Sequence, residues 1–192
     1  MSSNNGSVMQ EVEQAPWLGL RTVSMLTKVL LLVCVAGGAF AVDQWTKHLV
    51  ESKMMLGEQI TVIDGVLRWY YILNSGAAFS MGSNMTWVFT IIMCVASVVT
   101  LWCIFRARAQ VWVLALCLLL GGILGNLYDR LFRPPGFGMG HVVDFISVGS
   151  FAIFNIADSC ICVAMALVVL LVFLGIRLDG TREVSSSKKK ES

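Results

Sequence analysis

The chain has 192 residues, 57% of them apolar and only 14% charged, against roughly 45–50% and about 25% in soluble domains. That excess, with a mean hydropathy of +0.77 and the charges bunched between long uncharged runs, excludes a disordered chain and leaves a small polytopic membrane protein. A net charge of +2 is too small to mark a nucleic-acid binder, and all six cysteines lie in apolar runs, where they read as small hydrophobes rather than disulfide partners or zinc ligands.

In chain order, residues 1–24 form a polar tail, 25–177 a four-helix membrane domain, and 178–192 a second polar tail, with 1–20 and 180–192 expected to be mobile. The first span, about 25–46, is built on Val29–Val42, only 14 uncharged residues, and reaches membrane length by including Met25–Lys28 and Asp43–Trp45. Lys28 followed by an apolar stretch ending in Ala39-Phe40-Ala41 also matches a signal peptide with an A-x-A cleavage pattern. The long polar leader and the odd number of spans that cleavage would leave speak against it. Residues 59–73 are rich in β-branched and aromatic side chains and break at Asp64-Gly65, so a hairpin is expected between spans one and two. Its Trp69, Tyr70 and Tyr71 suit a membrane interface.

Met85–Phe105 gives 21 uncharged residues and is the clearest span, about 85–105. Only Arg106-Ala107-Arg108 separates it from the third, about 109–129, so the two must be antiparallel neighbours. Gly121, Gly122 and Gly125 late in that span lack the Lys-Ser/Thr of a phosphate loop and predict close helix packing. The Pro- and Gly-rich run 133–140 excludes helix, and His141-Val142-Val143-Asp144-Phe145 resumes an apolar pattern around one carboxylate. Ser159–Ile176, with Phe154–Asp158 extending its start, gives the last span, about 154–176. With four spans, one side holds nine basic residues (Arg21, Lys28, Arg106, Arg108, Arg177, Arg182 and three terminal lysines) against five on the other. Both termini are therefore expected in the cytoplasm. The fold class is an α-helical integral membrane protein with four transmembrane helices and a small extracytoplasmic β-sheet between spans one and two.

This topology brings Asp43, Asn126, Asp129, Arg130, Asn155 and Asp158 to one depth at the outer face. Asn126, Asp129 and Arg130 are spaced i, i+3, i+4, and Asn155 and Asp158 i, i+3, so each set shares a helix face. Taken alone, Asp43 with Lys47 reads equally well as an interfacial ion pair, and Asp129 with Arg130 as a polar helix end. Asp158 precedes 18 uncharged residues with no basic residue within a turn, and Asp144 is flanked by Val142, Val143, Phe145 and Ile146. Charges in such surroundings are costly and mark function. Two carboxyl groups meeting in a poorly solvated cleft share one proton: one activates water, the other hydrogen-bonds the peptide carbonyl. No metal or cofactor is needed, and H-E-x-x-H and G-x-S-x-G are absent. The alternative is a small proton-coupled membrane transporter using intramembrane carboxylates. The absence of an inverted repeat and the crowding of polar groups at one end speak against it.

Five blocks in this order resemble the bacterial lipoprotein signal peptidase family, signal peptidase II: Asp43-Gln44 with Lys47, Asn74-Ser75-Gly76-Ala77-Ala78-Phe79, Gly121-Gly122 through Gly125-Asn126-Leu127-Tyr128-Asp129-Arg130, Val142-Val143-Asp144-Phe145, and Phe154-Asn155-Ile156-Ala157-Asp158. The resemblance covers 43–158. It implies an intramembrane aspartic endopeptidase whose dyad is Asp144 and Asp158, with Asp43, Lys47, Asn74, Gly76, Asn126, Asp129, Arg130, Asn155 and Ala157 binding substrate or bracing the site. It further implies a diacylglyceryl-modified prolipoprotein substrate cut before its lipidated cysteine, inhibition by globomycin-type compounds, contact with membrane lipids, and residence in the bacterial cell membrane.

Overall fold

The computed structural model describes residues 22–76 and 85–182. Residues 1–21 and 183–192 of the expected tails therefore lie outside the described residues, as does Ala77-Ala78-Phe79. Among the described residues four helices are long and apolar enough to cross a membrane. The first comprises α1 (Met25–Leu31), a π-helical turn (Leu32–Ala36) and α2 (Gly37–Lys53). The others are α3 (Thr86–Arg106), α4 (Gln110–Phe132) and α5 (Ile156–Phe173). Helix α4 is the central one: two thirds of its apolar window is buried, against 11–17% in the other three. It packs against α2, α3 and α5.

The basic end of the bundle is tied by backbone and side-chain bonds. Val23 N–H donates to Arg108 O at 3.0 Å, Arg108 N–H to Leu178 O at 2.8 Å, Trp112 Nε1 to Ile176 O at 3.0 Å and Lys28 Nζ to Phe105 O at 2.7 Å. Around them lies the apolar core of Ile104, Val113, Leu116, Cys117 and Leu171. All six thiols are free.

The glycines of α4 act by close approach. A Cβ on Gly121 would stand 2.7 Å from Ala36 O, one on Gly122 2.6 Å from Ala157 O, and one on Gly125 2.6 Å from Asp43 Oδ2. No heavier residue lets α2 and α5 come this near.

At the other end, strands β1 (Gln59–Ile63), β2 (Leu67–Asn74) and β3 (Val142–Val148) form an antiparallel sheet in that order. The hairpin between β1 and β2 turns where expected, with Gly65 at φ +69. The third strand is the departure: it comes from between spans three and four, pairing Asn74 with Val142 and Ile72 with Asp144. Trp69 and Tyr71 do not simply rest on an interface. Tyr71 is buried with Val143 and Phe145, a cluster against which Val50 and Met54 pack at the end of α2, and the Trp69 ring lies 5.9 Å from that of Phe145.

Four helix ends differ from expectation. The first helix continues to Lys53 rather than ending near 46, because Lys47 is neutralised inside the protein and no breaker intervenes before Gly57. Helix α4 runs to Phe132 and stops before Arg133-Pro134, where the residue preceding proline avoids helical backbone. Helix α5 begins at Ile156, not 154, because Asn155 caps it and Phe154 bridges to Ile146 of β3. It ends at Phe173, where the chain turns through Gly175.

Candidate active site

Five segments deliver polar side chains to the junction of bundle and sheet. Helix α2 supplies Asp43 and Lys47, the end of β2 supplies Asn74, the last turns of α4 supply Asn126, Asp129 and Arg130, β3 supplies Asp144, and the start of α5 supplies Asn155 and Asp158. Asp43, Lys47, Asp129 and Asn155 are wholly shielded from solvent, and Asp144 and Arg130 nearly so.

Lys47 sits at the centre of one half. Its Nζ is 2.8 Å from Asp43 Oδ2, 2.7 Å from Asp129 Oδ2 and 3.0 Å from Asn126 Oδ1. A buried ammonium is tolerable only with such a complete set of partners. Asp43 uses its other oxygen to accept from Ala157 N–H at 2.8 Å, joining α2 to the first turn of α5. Asp129 accepts from Arg133 Nε at 2.7 Å and from Val143 N–H at 3.3 Å, which anchors β3 one residue before Asp144. Arg133 in turn pairs with Glu51. Asp129 thus bonds Lys47 and Arg133, not its neighbour Arg130 as a simple polar helix end would have it.

Arg130 spends its donors on backbone. Its guanidinium donates to Asn74 O at 3.0 Å, to Gly140 O at 3.1 Å and to Gly76 O, so it clamps the end of β2 to the loop preceding β3. Asn74 is thereby positioned: its Oδ1 accepts from Gly76 N–H at 2.9 Å, and its Nδ2 donates to Asp144 Oδ2 at 2.9 Å.

Asn155 connects the two remaining carboxylates. Its Nδ2 donates to Asp144 Oδ1 at 2.7 Å and to Asn126 Oδ1 at 3.0 Å. Its Oδ1 accepts from Asp158 N–H at 2.9 Å, while its own N–H donates to Asp158 Oδ2 at 3.1 Å. This is a reciprocal capping box, N-x-x-D, rather than two side chains on one helical face as the i, i+3 spacing implied. The second Asp158 oxygen accepts from Asn126 Nδ2 at 2.7 Å. Burial and the neighbouring Asp158 charge push the Asp144 carboxyl up to about 7, against the opposing pull of its bonds to Asn74 and Asn155 and of Lys47.

Every residue that the sequence singled out lies in this one connected network. Three participants were not singled out. Gln44 Nε2 donates to Asp43 Oδ2 at 3.1 Å, to Gly125 O at 3.0 Å and to Asp129 Oδ1 at 3.2 Å, strapping the two carboxylates that share Lys47. Gly140 has no room for a side chain, since a Cβ would stand 2.1 Å from Asp129 O. Arg133 had a signal, its i+4 spacing from Asp129. Gln44 stands in the Asp43-Gln44 block that carries the family resemblance, though no role was read for it, and Gly140 had no signal beyond a glycine-rich run.

The comparisons with known proteins agree with this architecture. The sequence profile of the family described as Signal peptidase (SPase) II matches residues 33–174. The lipoprotein signal peptidase of Leifsonia xyli subsp. xyli is 43% identical over 164 residues, covering 85% of this chain and 76% of that protein. The lipoprotein signal peptidase of Rhodococcus jostii is 44% identical over 155 residues, covering 80% of this chain and 78% of that protein. A bacterial membrane enzyme solved by the in meso method at 2.3 Å resolution superposes with a TM-score of 0.71 at 26% identity, covering 90% of this chain and 97% of that one. With four apolar helices, a small sheet and these relatives, the chain belongs to the signal peptidase II family of aspartic endopeptidases.

Proposed function

We propose that this protein removes the signal peptide from diacylglyceryl-modified prolipoproteins, cutting before the lipidated cysteine with water activated by Asp144 and Asp158. The observation that carries the assignment is the Asn155 bridge, which bonds Asp144 through its side chain and Asp158 through its backbone. Carboxylates held by a common residue cannot move apart, and together they retain one proton.

We assign that proton to Asp144, the more buried of the two, whose carboxyl titrates near 7. Asp158, at the amino end of α5 with N–H donors on both oxygens, is the base. Asp158 takes a proton from water as the oxygen attacks the scissile carbonyl carbon. The Asp144 proton bonds the carbonyl oxygen and stabilises the tetrahedral intermediate. Collapse breaks the C–N bond, and Asp158 returns the proton to the leaving amine. Asn74, Asn126 and Asn155 hold the dyad; Asp43, Lys47 and Asp129 hold Asn126, Ala157 and β3; Arg130 holds the Asn74–Gly76 segment.

The basic end of the bundle, with Lys28, Arg106, Arg108 and Arg177, belongs on the cytoplasmic side by the positive-inside rule. That orientation puts both termini in the cytoplasm and the dyad near the outer face of the cell membrane. Acyl chains anchored in the outer leaflet would present the scissile bond at that depth. Residues 25–177 then form the protease unit. The substrate reading is tested by giving purified protein a lipidated prolipoprotein and its unlipidated precursor: only the first is expected to be cut, with inhibition by globomycin. Equal cleavage of both contradicts the lipid requirement.

A further inference from the structure

The face of α4 turned away from the dyad carries a second feature. Leu120, Leu124, Tyr128 and Leu131 form one stripe, while Gly122, Gly125, Asn126 and Asp129 occupy the opposite side of the helix. The stripe floors a groove of about 580 Å³ walled by Leu32, Val33 and Gly37 of the first helix and by Val98 and Leu101 of α3. Its shape follows from helix divergence. The packing of α3 against the first helix is concentrated at α1, where Lys28 Nζ bonds Phe105 O at 2.7 Å, while α2 and α3 each pack against α4. The π-helical turn Leu32–Ala36 forms part of the wall, an interruption of the helix that frequently marks a functional position.

The lining contains no charge, and the Ser97 hydroxyl is already committed to Met93 O at 2.8 Å. Along α4 the groove runs from Leu120, at mid-span, to Phe132, at the sheet end. Twelve residues of helix are about 18 Å, matching the ~15 Å of one leaflet of a hydrocarbon core ~30 Å thick. The groove is continuous with the bilayer-facing surface, since Val33, Val98 and Phe132 are all well exposed. At its mouth the rings of Phe40, Tyr128, Phe132 and Phe137 form a chain, with neighbouring centroids 5.0–6.4 Å apart. Aromatic groups favour the boundary between chain and headgroup.

We propose that this groove holds one acyl chain of a membrane glycerophospholipid from the leaflet on the sheet side, as a bound lipid distinct from the substrate. An unfilled slot of this size in a bilayer forfeits dispersion contacts along all three walls, and an acyl chain is the available filler of matching length and chemistry. The groove and the polar residues of α4 that face the dyad lie on opposite sides of the helix, so a lipid in the groove is expected to leave the dyad open to substrate.

Gly37 provides the test: a Cβ there meets nothing within 4 Å, so Gly37→Leu starts in open space and extends a side chain into the groove, and Val98→Trp enlarges a lining side chain from α3. Gly38→Leu is the control for helix propensity, because Gly38 has equal space but does not line the groove. Native mass spectrometry and thermal melts would be recorded in detergent with increasing palmitoyl-oleoyl phosphatidylglycerol. Wild type and Gly38→Leu should bind one lipid saturably and gain several degrees in Tm. Gly37→Leu and Val98→Trp should bind it at least about tenfold more weakly, with no gain in Tm, while still cutting lipidated prolipoprotein. Undiminished binding by folded filled variants, no saturable binding by wild type, or a raised KM for lipidated substrate in the filled variants would each overturn the proposal.

Discussion

Lys47 Nζ donates to Asn126 Oδ1 at 3.0 Å, and this bond sets which end of the Asn126 amide faces Asp158. With Oδ1 occupied by Lys47 and by Asn155 Nδ2, the amide turns its Nδ2 toward Asp158 Oδ1 at 2.7 Å. A lysine that touches neither proposed catalytic carboxylate thereby fixes a donor on one of them.

Replacing that lysine separates folding from chemistry. Lys47→Met leaves Asp43 and Asp129 buried without their shared cation, and a broken buried ion pair costs about 3–5 kcal/mol. A large drop in Tm is expected. Asn126→Leu leaves the Asp43–Lys47–Asp129 cluster in place but removes the donor to Asp158. It should lower kcat by about 10²-fold with KM little changed, as removal of one preorganised donor does. A loss confined to KM would place Asn126 in substrate binding instead.

The raised Asp144 carboxyl predicts a pH dependence of definite sign. The folded protein holds this proton up to about 7, whereas an unfolded chain releases it near ~3.9. The stabilisation from this group is therefore complete below about pH 4 and is lost as pH rises through about 7. Activity follows the same proton. On the free enzyme, kcat/KM should fall about tenfold per pH unit on the alkaline side of a break near 7. A profile flat to pH 9 would contradict the assignment of the shared proton to Asp144.

Close approach at Gly125 gives a steric prediction. Gly125→Ala would put a methyl 2.6 Å from Asp43 Oδ2 and 3.0 Å from Ala157 Cβ, between the two groups that join α2 to α5. Overpacking of this kind costs about 1–3 kcal/mol. Activity should fall with stability, because Asp43 must move off Lys47 and Ala157. Gly65→Ala, strained at φ +69 but in open space at the hairpin, should cost about 1 kcal/mol and leave kcat alone. Thermal melts paired with kcat distinguish the two.

The four apolar helices were legible because uncharged runs of membrane length are a strong signal, and Asp144 and Asp158 stood out as candidates because a carboxylate with apolar neighbours is rarely idle. Strand β3 was not. Val142, Val143, Asp144 and Phe145 are all buried, so the alternation that marks a half-exposed strand is missing, and its partner is some 70 residues earlier in the chain. The role of Arg130 was hidden for a related reason. Its acceptors are the backbone carbonyls of Asn74, Gly76 and Gly140, and a carbonyl carries no side-chain signature in the sequence. Asn155 and Asp158 were found through helical spacing, although their actual relationship is that of a helix cap.

The most direct measurement is a gel-shift cleavage assay in detergent micelles on diacylglyceryl-modified prolipoprotein, comparing wild type with Asp144→Asn, Asp158→Asn and Asp64→Asn, each shown to be folded by its melting curve. Wild type and the hairpin variant should cut the substrate at similar rates, and each dyad variant should lose at least about 10³-fold, since neither carboxyl group can do the work of both. Normal turnover by a folded Asp144→Asn or Asp158→Asn would contradict the assignment of the dyad.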